Sequence, residues 1–282
     1  MHQYFHASKK TEDFLVQFSV LMSVYHKDNP QWLKQAVESV LNNTVKPNQI
    51  VLVVDGQIPK ELEQILTQYQ QHLDILRLEK NSGLGIALQQ GLLKCKYPLV
   101  ARMDSDDISL PTRFELQLKE FENNPNLTIV GGYIQEFDSQ TNKKTSIRKV
   151  PLEDNEIKQY LKTRSPFNHV TVMFKKEDIL KAGNYQTFYQ IEDYYLWARL
   201  VNANFQTKNI PQLLVNVRVD TKMFARRGGY KYFKSNKEIS KQMLKMKIIN
   251  YPYYLFNITV RFITQVLMPN NIRTLFYKKV LR

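Results

Sequence analysis

The sequence predicts an α/β fold: a mostly parallel central sheet flanked by helices, with a basic, amphipathic helical extension at the C-terminal end. Three features carry that expectation. Aliphatic runs alternate with helically periodic segments over the first two-fifths of the chain. The run Ile50-Val51-Leu52-Val53-Val54 is apolar without interruption, as suits a strand buried on both faces. Beyond Thr221 the composition turns strongly basic. Strand–helix alternation implies parallel pairing through right-handed crossovers.

Taken in order, Phe18 to Tyr25 reads as the first strand. Asn29-Pro30 supplies an N-cap and a first helical residue, after which Trp32, Leu33, Ala36, Val37, Val40 and Leu41 recur at helical spacing. The strand from Ile50 ends at Asp55-Gly56. A helix from about Pro59 to Gln71, a strand over Asp74 to Leu78, a helix from Gly83 to Lys94 and a strand from Pro98 to Met103 follow. After Asp107 the alternation loosens. Leu127 to Asp138 reads as a strand interrupted at Gly131-Gly132, with Thr145 to Val150 as its partner. Glu153 to Lys162 is helical, His169 to Lys175 a strand, Glu192 to Asn202 a helix, and Ile210 to Val219 holds a further strand. The expected organisation is an extension over residues 1–17, an α/β body over 18–220 and a tail over 221–282.

Composition narrows the setting. Of 282 residues 43% are hydrophobic and 12% aromatic, enough for a packed core and too many for a disordered chain. The single Cys95 excludes an intramolecular disulfide and fits a reducing compartment. Met1 to Asp13 is mostly polar and lacks an apolar signal core, so a cytoplasmic location is expected. The net charge of +14 is unevenly placed: residues 221–282 hold 14 Lys/Arg against Glu238 alone, leaving 26 basic and 25 acidic residues before them.

The run Asp104-Ser105-Asp106-Asp107 behind Leu99-Val100-Ala101 is the strongest chemical signal. Carboxylates crowded at the end of a buried strand repel one another unless a cation compensates them. Such oxygen-rich sites suit Mg²⁺ or Mn²⁺, which bridge carboxylates to a substrate's phosphates. The structural alternative is helix capping, by Asp107 or Ser109, of a helix beginning near Pro111. Capping employs one carboxylate and leaves two unexplained.

Other segments are weaker alone. Asp55, before Gly56, suits a hydrogen bond to a base or ribose, or an ordinary Asp-Gly turn. Asn81-Ser82-Gly83-Leu84-Gly85 opens a helix whose N–H groups suit phosphate, but the dinucleotide fingerprint is incomplete because Leu88 replaces its third glycine. Glu192-Asp193 starts an aromatic-rich helix, where the macrodipole favours carboxylates and where an Asp over a pocket can act as general base. His169, following Ser165-Pro166-Phe167-Asn168, is either a structural histidine or a pocket residue.

Together, FSVLMSVYHKDNPQWLKQAVESVLNNT, IVLVVDG, NSGLGIALQQGL, LVARMDSDDISLPTRFELQ, SPFNHVTVMFKK and IEDYYLWARL resemble, in order and over roughly residues 18–200, the family 2 glycosyltransferases of bacterial capsule, exopolysaccharide and lipopolysaccharide synthesis. The resemblance implies a GT-A fold, a divalent metal (Mn²⁺ or Mg²⁺), a nucleotide-sugar donor such as a UDP-sugar, and inversion at the anomeric carbon. Carried onto this chain, it places Ser23, Tyr25 and Asp55 at the nucleotide and Gly83 in the phosphate-side loop, where some members have an Arg that is missing here. It makes Asp104 and Asp106 the D-x-D pair, Asp104 facing the ribose or sugar as well as the metal and Asp106 the metal. Asp193 becomes the base, with Glu192 and His169 in the acceptor pocket.

In the tail, Lys231, Lys234, Lys241 and Lys245 fall near one helical face. From Tyr251 to Met268, Asn257, Arg261, Thr264 and Gln265 form one polar stripe in an otherwise mainly apolar and aromatic segment. That pattern is poor for a transmembrane helix and suits an interfacial one. The expectation is peripheral attachment to the anionic inner face of the plasma membrane, beside a lipid-linked glycan acceptor. The alternatives are packing on the body and, disfavoured by the lack of interleaved stacking positions, nucleic acid. Two other functions compete: a sugar nucleotidyltransferase, whose usual G-x-G-x-R is missing at Ser23-Val24-Tyr25-His26-Lys27, and an inactive membrane-bound scaffold.

Overall fold

Seven consecutive buried or nearly buried residues, Phe18–Val24, form β1 at the middle of the sheet. The computed structural model describes residues 16–219, 228–269 and 272–273. Nearly all of the expected N-terminal extension, the last body residue 220, and tail residues 221–227, 270–271 and 274–282 lie outside the described residues.

After β1, Asn29 caps α1 (Pro30–Leu41), its Oδ1 accepting from the N–H groups of Gln31 (2.9 Å) and Trp32 (3.2 Å). Then come β2 (Gln49–Asp55), α2 (Lys60–Gln68), β3 (Asp74–Leu78), α3 (Leu84–Lys94) and β4 (Leu99–Arg102). These four strands pair in parallel in the order β3-β2-β1-β4. The chain therefore reverses its direction of growth at β1, and the crevice beyond the carboxyl ends of β1 and β4 is a topological switch point.

The second half extends the sheet with mixed polarity. It contains β5 (Ile108–Ser109), α4 (Arg113–Asn123), β6 (Leu127–Asp138), β7 (Lys144–Arg148), α5 (Asp154–Leu161), β8 (Met173–Lys175), α6 (Lys176–Lys181), α7 (Glu192–Asn202) and β9 (Gln206–Val219). The nine strands run β3-β2-β1-β4-β8-β6-β9-β5, with β7 joined to β6. β8 is antiparallel to both β4 and β6, whereas β6 and β9 are parallel.

Alternation along β1 divides the core. Val20, Met22 and Val24 join Leu33, Leu52 and Phe114 on one face, while Leu21 meets Val53, Leu88 and Trp197 on the other. In the tail, α8 (Tyr230–Lys245) buries Ile239 and Met243 in this second cluster, and α9 (Tyr251–Phe262) continues into a π-helical turn, Ile263–Leu267. No helix among the described residues is long and apolar enough to cross a membrane.

Two local expectations are corrected. His169–Thr171 is a 3₁₀ turn rather than strand, and only Met173–Lys175 pairs. Thr171 donates its hydroxyl to Asn168 O (2.7 Å) and Asn168 donates Nδ2 to Gly132 O (2.9 Å), folding the chain against the Gly131-Gly132 interruption of β6. A Cβ on Gly131 would stand 2.3 Å from Asn209 Oδ1, so this approach requires glycine. The helix expected near Pro111 begins at Arg113, and neither Asp107 nor Ser109 caps it. Asp107 accepts from the backbone N–H of Arg218 (2.9 Å) and the Ser109 hydroxyl accepts from Asn43 Nδ2 (3.1 Å), so the carboxylate run is not a cap.

Candidate active site

The acidic turn sits at the carboxyl end of β4. Asp104, Asp106 and Asp107 each offer a carboxylate oxygen, and the three atoms lie within 4.8 Å of one another. Asp104 Oδ1 pairs with the guanidinium of Arg102, which is 1% exposed and also donates to Met103 O. Burial, reinforced by the neighbouring carboxylates, raises the pKa values of Asp106 and Asp107 above the ordinary range. Three oxygens this close, on acids that ionise reluctantly together, are a donor set that a hard divalent cation satisfies.

The turn is tied to its surroundings on two sides. Ser105 donates its hydroxyl to Asp28 Oδ2 (2.8 Å), and the same oxygen accepts from Tyr25 N (3.2 Å), which joins the acidic turn to the loop after β1. Burial and then the Asp104 charge push Asp28 up to about 6, against the lowering effect of these hydrogen bonds. On the other side Arg218 Nε donates to Asp106 O (2.6 Å), and its guanidinium lies over the rings of Phe137 (4.9 Å) and Trp32 (5.2 Å).

Ser23 and Tyr25, at and just beyond the end of β1, are partly exposed there. Asp55, at the end of the adjoining β2, is 4% exposed and accepts from Ser82 N (2.7 Å) and Gly83 N (2.9 Å). Two of the N–H groups that the sequence offers to phosphate are therefore committed to this carboxylate. Gly56 makes the turn possible: its φ is +82°, and a Cβ would lie 2.5 Å from Asn81 N.

The Glu192-Asp193 pair occupies the first turn of α7, which has no side-chain N-cap. Asp193 Oδ2 accepts from Ser165 Oγ at 3.4 Å. Burial raises Asp193 above its ordinary range, opposed by hydrogen bonding and by Arg148. Burial and then the Asp193 charge push Glu192 up to about 7. His169 shares a hydrogen bond with Tyr185 Oη (2.9 Å) and sits 6.0 Å from the Trp197 ring; burial and then Arg102 hold it neutral, well below its usual range.

Arg102 joins these groups electrostatically. Its charge acts on Asp28 and Asp106, on His169 and Tyr185, and on Glu192, while Asp104 acts on Glu192 and Tyr185. The acidic turn and the α7 carboxylates thus lie within one another's electrostatic reach. Sequence reasoning missed Asp28, Arg102 and Arg218. Arg102 did leave a trace, as a charged residue closing an otherwise apolar strand. Asp28 was hidden in a loop beside a helix cap, and Arg218 in a terminal strand.

Comparison with known proteins identifies the family and the fold. Residues 19–182 match the family model described as Glycosyl transferase family 2. The chain is 39% identical to the UDP-Gal:alpha-D-GlcNAc-diphosphoundecaprenol beta-1,3-galactosyltransferase of Escherichia coli, covering 94% of this chain and 97% of that protein. It is 37% identical to the amylovoran biosynthesis glycosyltransferase AmsE of Erwinia amylovora, covering 93% and 98%. In shape it is similar to residues 1-349 of S. aureus TarS in complex with UDP-GlcNAc, with a TM-score of 0.66 at 15% identity over 94% of this chain and 76% of that one.

Proposed function

Since the chain belongs to glycosyl transferase family 2 and has the GT-A fold, an enzyme of glycosyl transfer, we propose that it moves a hexosyl group from a UDP-sugar to a hydroxyl of a lipid-linked glycan, with inversion and with help from a divalent cation. The observation that carries this reading is a convergence of acids: three clustered carboxylates after β4 and an acidic pair on α7, both within the field of Arg102.

Each residue has a task. Ser23, Tyr25 and Asp55 border the nucleotide, and Gly83 the phosphate side. Asp104 and Asp106 hold Mn²⁺ or Mg²⁺, with Arg102 fixing Asp104. When bound, the cation offsets the charge that develops on the departing diphosphate. Asp193 takes the proton of the acceptor hydroxyl as its oxygen attacks the anomeric carbon from the face opposite the leaving group. Burial keeps the Asp193 carboxylate basic enough for this work, and Ser165 orients it. His169, held neutral, and Glu192 meet sugar hydroxyls in the acceptor pocket. The basic tail holds the enzyme at the inner face of the plasma membrane, where a diphosphoundecaprenol-linked acceptor resides.

Purified protein incubated with Mn²⁺, a panel of UDP-sugars and GlcNAc-diphosphoundecaprenol tests the reading. UDP release that depends on acceptor, with a product of inverted anomeric configuration, is expected. Acceptor-independent behaviour with every donor, or retained configuration, overturns it.

A further inference from the structure

Along α9 and the π-helical turn after it, the polar stripe of Asn257, Arg261 and Gln265 faces the protein while most of the large apolar side chains face solvent. Asn257 donates Nδ2 to Lys162 O (2.8 Å), Arg261 donates to Thr163 O (2.7 Å), and the Gln265 side chain is buried. Leu255, Phe256, Val260, Phe262, Ile263 and Leu267 are all at least 39% exposed. A surface helix normally does the reverse. Rolling this one over would strand the anchoring polar groups and break the packing of Phe262 on Phe233 of α8, with ring centroids 5.4 Å apart. The apolar face is held outward.

Charge indicates what covers it. Lys234, Lys237, Lys241 and Lys245 are exposed on α8, opposite the buried Phe233, Ile239 and Met243. Glu238 is the only acid in the described residues beyond position 228, and it accepts from Gln242. At the turn between α8 and α9, Lys162 and Lys247 line a cavity of about 560 Å³ together with Leu244, Ile248 and Tyr253. Cations above apolar walls match a lipid with an anionic head and hydrocarbon chains. A second copy of the chain would bring its own lysines to the contact.

We propose that the outward face of α9 inserts into a leaflet rich in anionic phospholipid, with the Lys162–Lys247 cavity receiving a headgroup phosphate. The inference rests on the membrane-facing reading above and names the element, the face and the headgroup seat. It also has a catalytic consequence. The carbonyls gripped by Asn257 and Arg261 lie just before Ser165, the partner of Asp193, so insertion fixes the acceptor end of the crevice over the leaflet.

Co-sedimentation of the full chain with phosphatidylglycerol–phosphatidylcholine vesicles, without donor or acceptor, tests this. Binding is expected to the mixed vesicles and to fall about tenfold or more in a Leu255→Asp, Phe256→Asp variant with an unchanged melting temperature. Lys162→Ala with Lys247→Ala should weaken the preference for phosphatidylglycerol over phosphatidylcholine alone, leaving the part due to the α8 lysines. Parent-like pelleting of the Asp variant overturns the proposal. So does a concentration-dependent dimer, abolished by the same variant, in a parent that ignores vesicles. An unchanged preference for phosphatidylglycerol in the Lys162→Ala, Lys247→Ala variant overturns the headgroup seat. Transfer from UDP-sugars to a short-chain soluble acceptor, measured in parallel, stays at the parent level in the Asp variant; its failure in the parent refutes the transfer reading while vesicle binding still decides the surface.

Discussion

Ser105 donates its hydroxyl to Asp28 across 2.8 Å, so the middle residue of the acidic turn after β4 is fastened to the loop after β1. The two segments follow the paired strands β1 and β4 at the switch point of the sheet. A double-mutant cycle of Ser105→Ala and Asp28→Asn should give a coupling of about 1.5–3 kcal/mol, typical of a hydrogen bond to a charged group. Both single variants should raise KM for the donor more than they lower kcat. Additive effects in the cycle would show that the tie does not hold the loop.

The carboxylate cluster predicts how metal and stability are linked. Without a divalent cation, Asp106→Asn removes repulsion among Asp104, Asp106 and Asp107 and should leave the melting temperature equal or higher. With Mn²⁺ the order should reverse, because only the parent gains stability by binding the cation. Transfer should fall by orders of magnitude in the variant and, in the parent, on chelation.

Asp193 is expected to act on the chemical step. Asp193→Asn should lower kcat by about 10²–10⁴-fold and change KM for the donor little. In the parent, kcat/KM should rise with pH through a value above the ordinary aspartate range, because burial makes the base harder to deprotonate. An unchanged kcat in the variant would remove the assignment.

Glu192 gives a stability prediction of a definite sign. Its folded-state pKa is raised from 4.5 to about 7, so the folded protein holds a proton that the unfolded chain has released. Stability from this group is therefore full below about 4.5 and is lost as the pH rises through about 7. Glu192→Gln abolishes that loss. Relative to the parent, the variant's melting temperature should climb between those two pH values and level off above them.

Gly56 tests the nucleotide side. Gly56→Ala combines a positive φ with a Cβ 2.5 Å from the backbone nitrogen of Asn81. The expected cost is about 1–3 kcal/mol by denaturant unfolding, and displacement of the Ser82–Gly83 segment from Asp55 should weaken donor binding.

Much of this protein is written locally. The uninterrupted apolar run of β2, the Asn29-Pro30 start of α1 and the periodicity of α3 each reflect interactions within a few residues, and the structure has them where the sequence puts them. The same holds for the acidic run behind β4, because crowded carboxylates are unusual whatever surrounds them. The ordered motifs likewise point to the glycosyltransferase family and its fold.

Tertiary structure decided the rest. Which groups face Asp104 depends on contacts spanning many residues: Asp28 reaches the turn across 77 positions and Arg218 across 112, and no local pattern encodes either. The turn at His169 packs where Gly131 leaves room for Asn209, Phe167 and Thr171, a close approach that only the tertiary fold brings about. Periodicity revealed that α9 has a polar stripe and an apolar face, yet not which would be inward. That choice fell to two backbone carbonyls, Lys162 O and Thr163 O, which require donors once covered, so the helix turned its polar side to them and its aromatic side to the outside.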